Sequence, residues 1–176
     1  MDKQVSELAQ QLLELAKKHN LKIMTVESMT GGDIINSLTN IAGYSDYIYG
    51  GQIVYNSLAK AELLNLDISQ NIYSEDFSRQ MCISNYYCNA DIIISVTGNA
   101  CPKTGDKFGT FYYAVLYKNN NSNINKIWSQ TVTLDLEPIK DSIKENNVYA
   151  IRTYIKTCAT KEILNYAYKI IYNSII

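Results

Sequence analysis

Between Asp91 and Val96 the chain reads Asp-Ile-Ile-Ile-Ser-Val. β-Branched residues dominate this run, and it does not alternate between apolar and polar. That is the signature of a strand covered on both faces, as in the centre of a parallel sheet. Parallel strands need crossover connections, so helices must flank such a sheet. The remaining sequence provides them. Asp2 is placed to cap a helix running to about His19, with Val5, Leu8, Leu12, Leu15 and Ala16 on one face. Leu21 to Val26 reads as a second buried strand, followed by a helix from Thr30 to near Asn40. Tyr47 to Tyr55 is strand-like, and its internal Gly50-Gly51 pair points to a bulge or to a close approach by a ligand or another backbone. Asn56 can cap a helix from Ser57 to Leu64, and Ser74 can cap another that continues to about Cys88.

Residues 109–118 and 123–134 bracket Asn119-Asn120-Asn121-Ser122, a hairpin signal. From about Glu145 to the end the spacing of Val148, Ile151, Ile155, Cys158 and Ala159 predicts a long helix. Together these elements predict one domain, residues 1–176, folded as a three-layer α/β/α sandwich. Its sheet should be mixed and mainly parallel, with an antiparallel edge.

Bulk properties exclude several functions. A net charge of −1 and a pI of about 5.8 leave no basic footprint for nucleic acid. No run of 18 apolar residues is present to span a membrane. The start runs directly into an amphipathic helix without the apolar core of a leader, so a cytoplasmic location is expected. The four cysteines form no CxxC pair and His19 is the one histidine, which argues against a metal site. His19 itself suits the carboxyl end of the first helix. Cys82, Cys88 and Cys158 read as reduced packing residues, while Cys101 stands in a loop.

The chemistry gathers at Glu27-Ser28-Met29-Thr30-Gly31-Gly32, a strand-to-helix turn. There Ser28 can serve as a nucleophile lifted into a crevice, or as a cap for the next helix. The N–H groups near Thr30, Gly31 and Gly32 can hold an oxyanion or a phosphate. Glu27 is either a buried acceptor for backbone N–H groups or a counter-charge to Lys60. In open sheets ligands sit at the carboxyl ends of parallel strands. Ser28 follows one such end and Thr97-Gly98 lies at another, so both loops should face one crevice.

In order and spacing, these phrases resemble the CinA C-terminal domain family, the nicotinamide mononucleotide deamidases. The family's Glu-Ser-Cys-Thr-Gly-Gly is matched by Glu27 to Gly32, with Met29 for the cysteine. Its Gly-Gly, Tyr and Lys phrase is matched by Gly50, Gly51, Tyr55 and Lys60, and a Val-Ser-Glu-like helix start by Tyr73-Ser74-Glu75.

The resemblance implies hydrolysis of the carboxamide of nicotinamide mononucleotide to nicotinic acid mononucleotide and ammonia. It implies a serine nucleophile (Ser28), a lysine partner (Lys60), and neither metal nor cofactor. Tyr55 would orient the lysine amine or relay a proton. Substrate contacts are expected from Thr30, Gly31, Gly32, Gly51, Thr97, Gly98 and Arg152. Elementary chemistry agrees, because a serine without a competent histidine needs another base. Lys60, beside Leu58, Ala59, Leu63 and Leu64, can be desolvated enough to serve.

Two departures from the family pattern stand out. Thr97-Gly98-Asn99-Ala100-Cys101-Pro102 carries Cys101 where the family has glycine. Asn146-Asn147-Val148 replaces a Gly-Asp-Arg phrase, so only the second arginine, Arg152, remains. These departures define the alternative reading, a degenerate non-catalytic member that binds a nucleotide or a protein. The expected partner is a small-molecule mononucleotide. The apolar tail at Ile170-Ile171-Tyr172 and Ile175-Ile176 is compatible with a homo-oligomer or with packing on its own domain.

Overall fold

The computed structural model describes residues 2–101, 108–119 and 124–175. Among the described residues six α-helices and five strands follow in order: α1 (Lys3–His19), β1 (Ile23–Glu27), α2 (Asp33–Thr39), β2 (Ile48–Ile53), α3 (Ser57–Leu64), α4 (Glu75–Ile83), β3 (Ile92–Gly98), β4 (Thr110–Asn119), β5 (Ile124–Thr133), α5 (Lys140–Lys144) and α6 (Val148–Ile175). The sheet order is β2-β1-β3-β4-β5. β1 pairs in parallel with β2 and β3, and β4 and β5 add the antiparallel edge. The result is the mixed α/β sheet that the sequence predicts.

Two cores separate along the strand alternation. Ile92, Ile94 and Val96 of β3, with Phe111, Tyr113 and Val115 of β4, pack under α1, α2 and α6. Ile93 of β3, with Ala114 and Leu116 of β4, faces Phe77, Met81 and Cys82 of α4 and Leu64 of α3. β1 is buried at all five positions because it has strands on both sides and helices on both faces. Its last residue, Glu27, lies level with Ile53 and Val96. The loops leaving β1, β2 and β3 therefore emerge along one edge, and that edge carries the site.

Several boundaries differ from the sequence reading. α2 begins at Asp33, three residues after Thr30, because Gly31 and Gly32 adopt φ of 67° and 103°. α4 ends at Ile83 and not near Cys88. Lys118 of β4 donates from Nζ to the carbonyls of Tyr86 and Cys88 at 3.0 and 2.6 Å, which holds this stretch in turns. α6 starts at Val148, after Asn146 at φ 53°, and Asn147 Oδ1 accepts from the Ala150 N–H at 3.1 Å. A 3₁₀ turn, Glu137–Ile139, and the short α5 precede it, and neither shows a periodic signal in the sequence.

The glycine pair in β2 marks a register shift, with Ile23 opposite Ile48 and Met24 opposite Gly50. β4 and β5 pair as the hairpin signal predicts; residues 120–123 of that signal, and residues 102–107, lie outside the described residues. Among the described residues no helix is long and apolar enough to cross a membrane, and no cluster of three or more metal-ligating side chains occurs.

Candidate active site

A cavity of about 300 Å³ opens at the carboxyl ends of the parallel strands. Its lining includes Ser28 from the loop after β1, Tyr55 and Asn56 from the loop after β2, Lys60 of α3, Gly98 at the end of β3, and Arg152 of α6.

Ser28 is held at both backbone ends. Its N–H donates to the Val96 carbonyl at 3.0 Å, and its carbonyl accepts from the Gly31 N–H at 3.1 Å. Its side chain, 6% exposed, donates from Oγ to the Tyr55 carbonyl at 3.4 Å. Lys60 sits in the first turns of α3, whose cap is Asn56, with Oδ1 accepting from the Ala59 N–H at 2.8 Å. Lys60 is 2% exposed, and its Nζ donates to the same Tyr55 carbonyl at 3.2 Å and to the Asn56 carbonyl at 3.4 Å. Hydroxyl and amine therefore converge on one main-chain oxygen. Burial lowers the Lys60 pKa from its ordinary 10.5, since water is removed from around the charged form.

Glu27 takes the first of the two roles open to it in the sequence. It is fully buried and accepts five hydrogen bonds. Oε2 receives the Thr30 hydroxyl at 2.7 Å and the N–H groups of Gly32 and Ile34, both at 3.1 Å. Oε1 receives the Thr25 hydroxyl at 3.0 Å and the Ile35 N–H at 2.8 Å. Gly32, the cap of α2, has no side chain to offer, so Glu27 caps that helix from the neighbouring strand. Ser28 is thereby freed from capping and turns to the cavity.

The other expected contacts divide. Gly98 lines the cavity, and a Cβ there would come within 2.8 Å of the Thr110 carbonyl of β4, so glycine is required by the strand pairing. Thr97 is buried and donates to the Ile72 carbonyl at 3.0 Å. Thr30 is committed to Glu27, and the Gly31 and Gly32 N–H groups have internal acceptors. Gly51 lies in β2 against Thr25 and Ile35, away from the lining. Arg152 donates to the Tyr55 hydroxyl at 2.5 Å, so Tyr55 uses its ring end for Arg152 and its carbonyl for Ser28 and Lys60.

Asn99 lines the cavity with the Thr97–Pro102 phrase to which it belongs, whereas sequence reasoning did not single out Tyr73 as a cavity residue. Tyr73 stands just before the Ser74 cap and is 45% exposed, and that position beside a helix start is the signal it offered. Among the described lining residues the charged ones are Lys60 and Arg152, and none is acidic.

Fold and cavity define a three-layer α/β domain with a serine and a desolvated lysine at the strand ends. The chain belongs to the CinA family: residues 5–155 match the CinA C-terminal domain. It is similar to a putative competence-damage inducible protein of Finegoldia magna, 32% identical over 152 residues, covering 79% of this chain and 36% of that protein. It is also similar to Protein MG115 of Mycoplasma genitalium, 31% identical over 115 residues, covering 61% of this chain and 73% of that one. This chain thus spans about a third of the length of the Finegoldia relative. Among solved structures it resembles the competence/damage inducible protein CihA from Agrobacterium tumefaciens. The TM-score is 0.77 and the identity 24%, with 94% of each chain covered, which is a likeness of fold.

Proposed function

We propose that this domain is an amidohydrolase that cleaves the carboxamide of nicotinamide mononucleotide, giving nicotinic acid mononucleotide and ammonia. The observation that carries this reading is the meeting of Ser28 Oγ and Lys60 Nζ on the Tyr55 carbonyl at the cavity. Removal of water shifts Lys60 toward its neutral amine, the form able to take a proton. Ser28 Oγ attacks the carboxamide carbon while Lys60 accepts the hydroxyl proton. The C–N bond then breaks, Lys60 returns the proton to the leaving nitrogen, and ammonia departs. Water, deprotonated by Lys60, attacks the resulting ester. The ester C–O bond breaks, the proton held by Lys60 goes back to Ser28, and the acid product gives its remaining proton to solvent and leaves as the carboxylate.

The cavity's charge and aromatic lining support the substrate class. Arg152 faces it with a neutral phenol as its hydrogen-bond partner, which leaves the guanidinium charge available to a phosphate. Tyr55 and Tyr73, 55% and 45% exposed, offer ring surface to a cationic pyridinium.

The test is ammonia release from nicotinamide mononucleotide by wild type, Ser28→Ala and Lys60→Ala. The expected result is turnover by wild type and loss of at least a hundredfold in each variant. A wild-type rate no higher than the variants' would refute the proposal. The second reading, binding without turnover, is favoured by Cys101 on the cavity wall and by Val148 in place of an arginine. Thermal stabilisation by either mononucleotide without ammonia release would select it.

A further inference from the structure

We infer that Glu27 is a positioning residue for Ser28, and that its carboxylate sets the reactivity of the serine without touching the substrate. The inference rests on the hydrolase reading above and extends it to a group outside the cavity lining.

The argument begins from the acceptor count. Three of the five partners of Glu27 are backbone N–H groups, which can only donate. They fall on both oxygens: Gly32 and Ile34 on Oε2, Ile35 on Oε1. A carboxylate accepts at both positions. A glutamine accepts at one and presents an NH₂ at the other, so it must oppose at least one fixed N–H. An aspartate falls one methylene short. Only glutamate satisfies the loop as it stands.

The second step is mechanical. Glu27 and Ser28 are consecutive, and the Glu27 carbonyl accepts from the Val54 N–H at 2.8 Å. The main chain is therefore fixed on the β2 side by Glu27 and on the β3 side by Ser28. What remains is the turn that carries the chain from Ser28 into α2 through Gly31 and Gly32, both at positive φ. The Glu27 side chain spans that turn and ties its far end to the strand. Without it, the turn can open and Ser28 Oγ loses its fixed approach to the Tyr55 carbonyl, the oxygen that Lys60 also bonds. Small misplacements of a reacting atom have large kinetic effects.

The experiment compares Glu27→Gln with wild type by ammonia release and by the rate of Ser28 labelling with a fluorophosphonate. The core substitution Ile163→Val, far from the site, serves as the control for general loosening. A folded Glu27→Gln, checked by circular dichroism, should lose at least tenfold in kcat and in labelling rate with KM changed less than threefold. Ile163→Val should lose less than twofold in either rate. A folded Glu27→Gln within twofold of wild type overturns the inference, as does an equal loss in Ile163→Val.

If Glu27→Gln does not fold, Thr30→Val removes one bond to Oε2. A threefold or larger fall in its labelling rate supports the inference, and no change overturns it. Lys60-dependent labelling of wild-type Ser28 without ammonia release would refute the nicotinamide substrate, and the labelling series would still decide the role of Glu27. A wild type that neither takes up the label nor releases ammonia overturns both readings, and one that releases ammonia without labelling leaves the kcat of Glu27→Gln to decide.

Discussion

Replacing Gly51 by alanine separates packing from substrate contact at the glycine pair. An added Cβ would lie 2.6 Å from Thr25 Oγ1 and 3.1 and 3.2 Å from Cγ1 and Cβ of Ile35. Neither neighbour can yield freely. Thr25 is fully buried and its hydroxyl is bonded to Glu27, while Ile35 sits in the first turn of α2 with its N–H on the same carboxylate oxygen. Overpacking of this kind costs roughly 1–3 kcal/mol. Alanine recovers about 0.4–1 kcal/mol by restricting the unfolded chain. The net is a destabilisation of about 1.5 kcal/mol, or a fall in Tm of about 3–6 °C for a domain of this size. Thermal unfolding followed by circular dichroism reads it directly. A Tm within 1 °C of wild type would refute the packing argument. A tenfold rise in KM without loss of stability would assign Gly51 to the substrate instead.

Three further outcomes follow from the site. Lys60→Met should abolish activity yet raise stability at pH 7, because the native fold holds the Lys60 proton less tightly than the unfolded chain does. The unfolded state binds more protons between the lowered native pKa and 10.5, so wild-type stability rises with pH across that window and the advantage of the variant should shrink there. A variant less stable than wild type at pH 7 in urea unfolding would contradict this. Arg152→Ala should raise KM for the mononucleotide by about 10- to 100-fold, the size of a lost charge-assisted hydrogen bond, and leave the nucleoside lacking phosphate nearly unaffected in steady-state assays. Equal effects on both substrates would remove the phosphate role. Tyr73→Ala should raise KM about 2- to 20-fold while Tyr73→Phe keeps it, as expected for a ring facing a pyridinium, and a loss in Tyr73→Phe would assign the effect to the hydroxyl.

The layers of this fold were legible because they rest on local signals. The Asp2 cap and the apolar stripe give α1, the β-branched run gives β3, and Asn56 marks α3, all close to where the structure has them. The end of α4 was not legible, since it depends on Lys118 arriving from a strand 30 residues away to hold the Cys88 carbonyl. The candidate site divides in the same way. Ser28, Tyr55, Lys60, Gly98 and Arg152 sit in phrases that read as chemistry, and the cavity brings them together. The engagement of Thr30, Gly31 and Gly32 within their own turn was hidden, because it turns on which of its two roles Glu27 takes. Tyr73 was hidden because an aromatic beside a helix start carries no periodic signature.

The oxygen on which Ser28 and Lys60 meet belongs to the peptide link of residue 55, and so has no codon of its own. Alanine scanning cannot delete it, and drift in the residue-55 side chain leaves it in place. Selection can reach this junction only through the shape of the chain around it. A substitution at Tyr55 can thus remove the phenol and keep the oxygen on which serine and lysine meet.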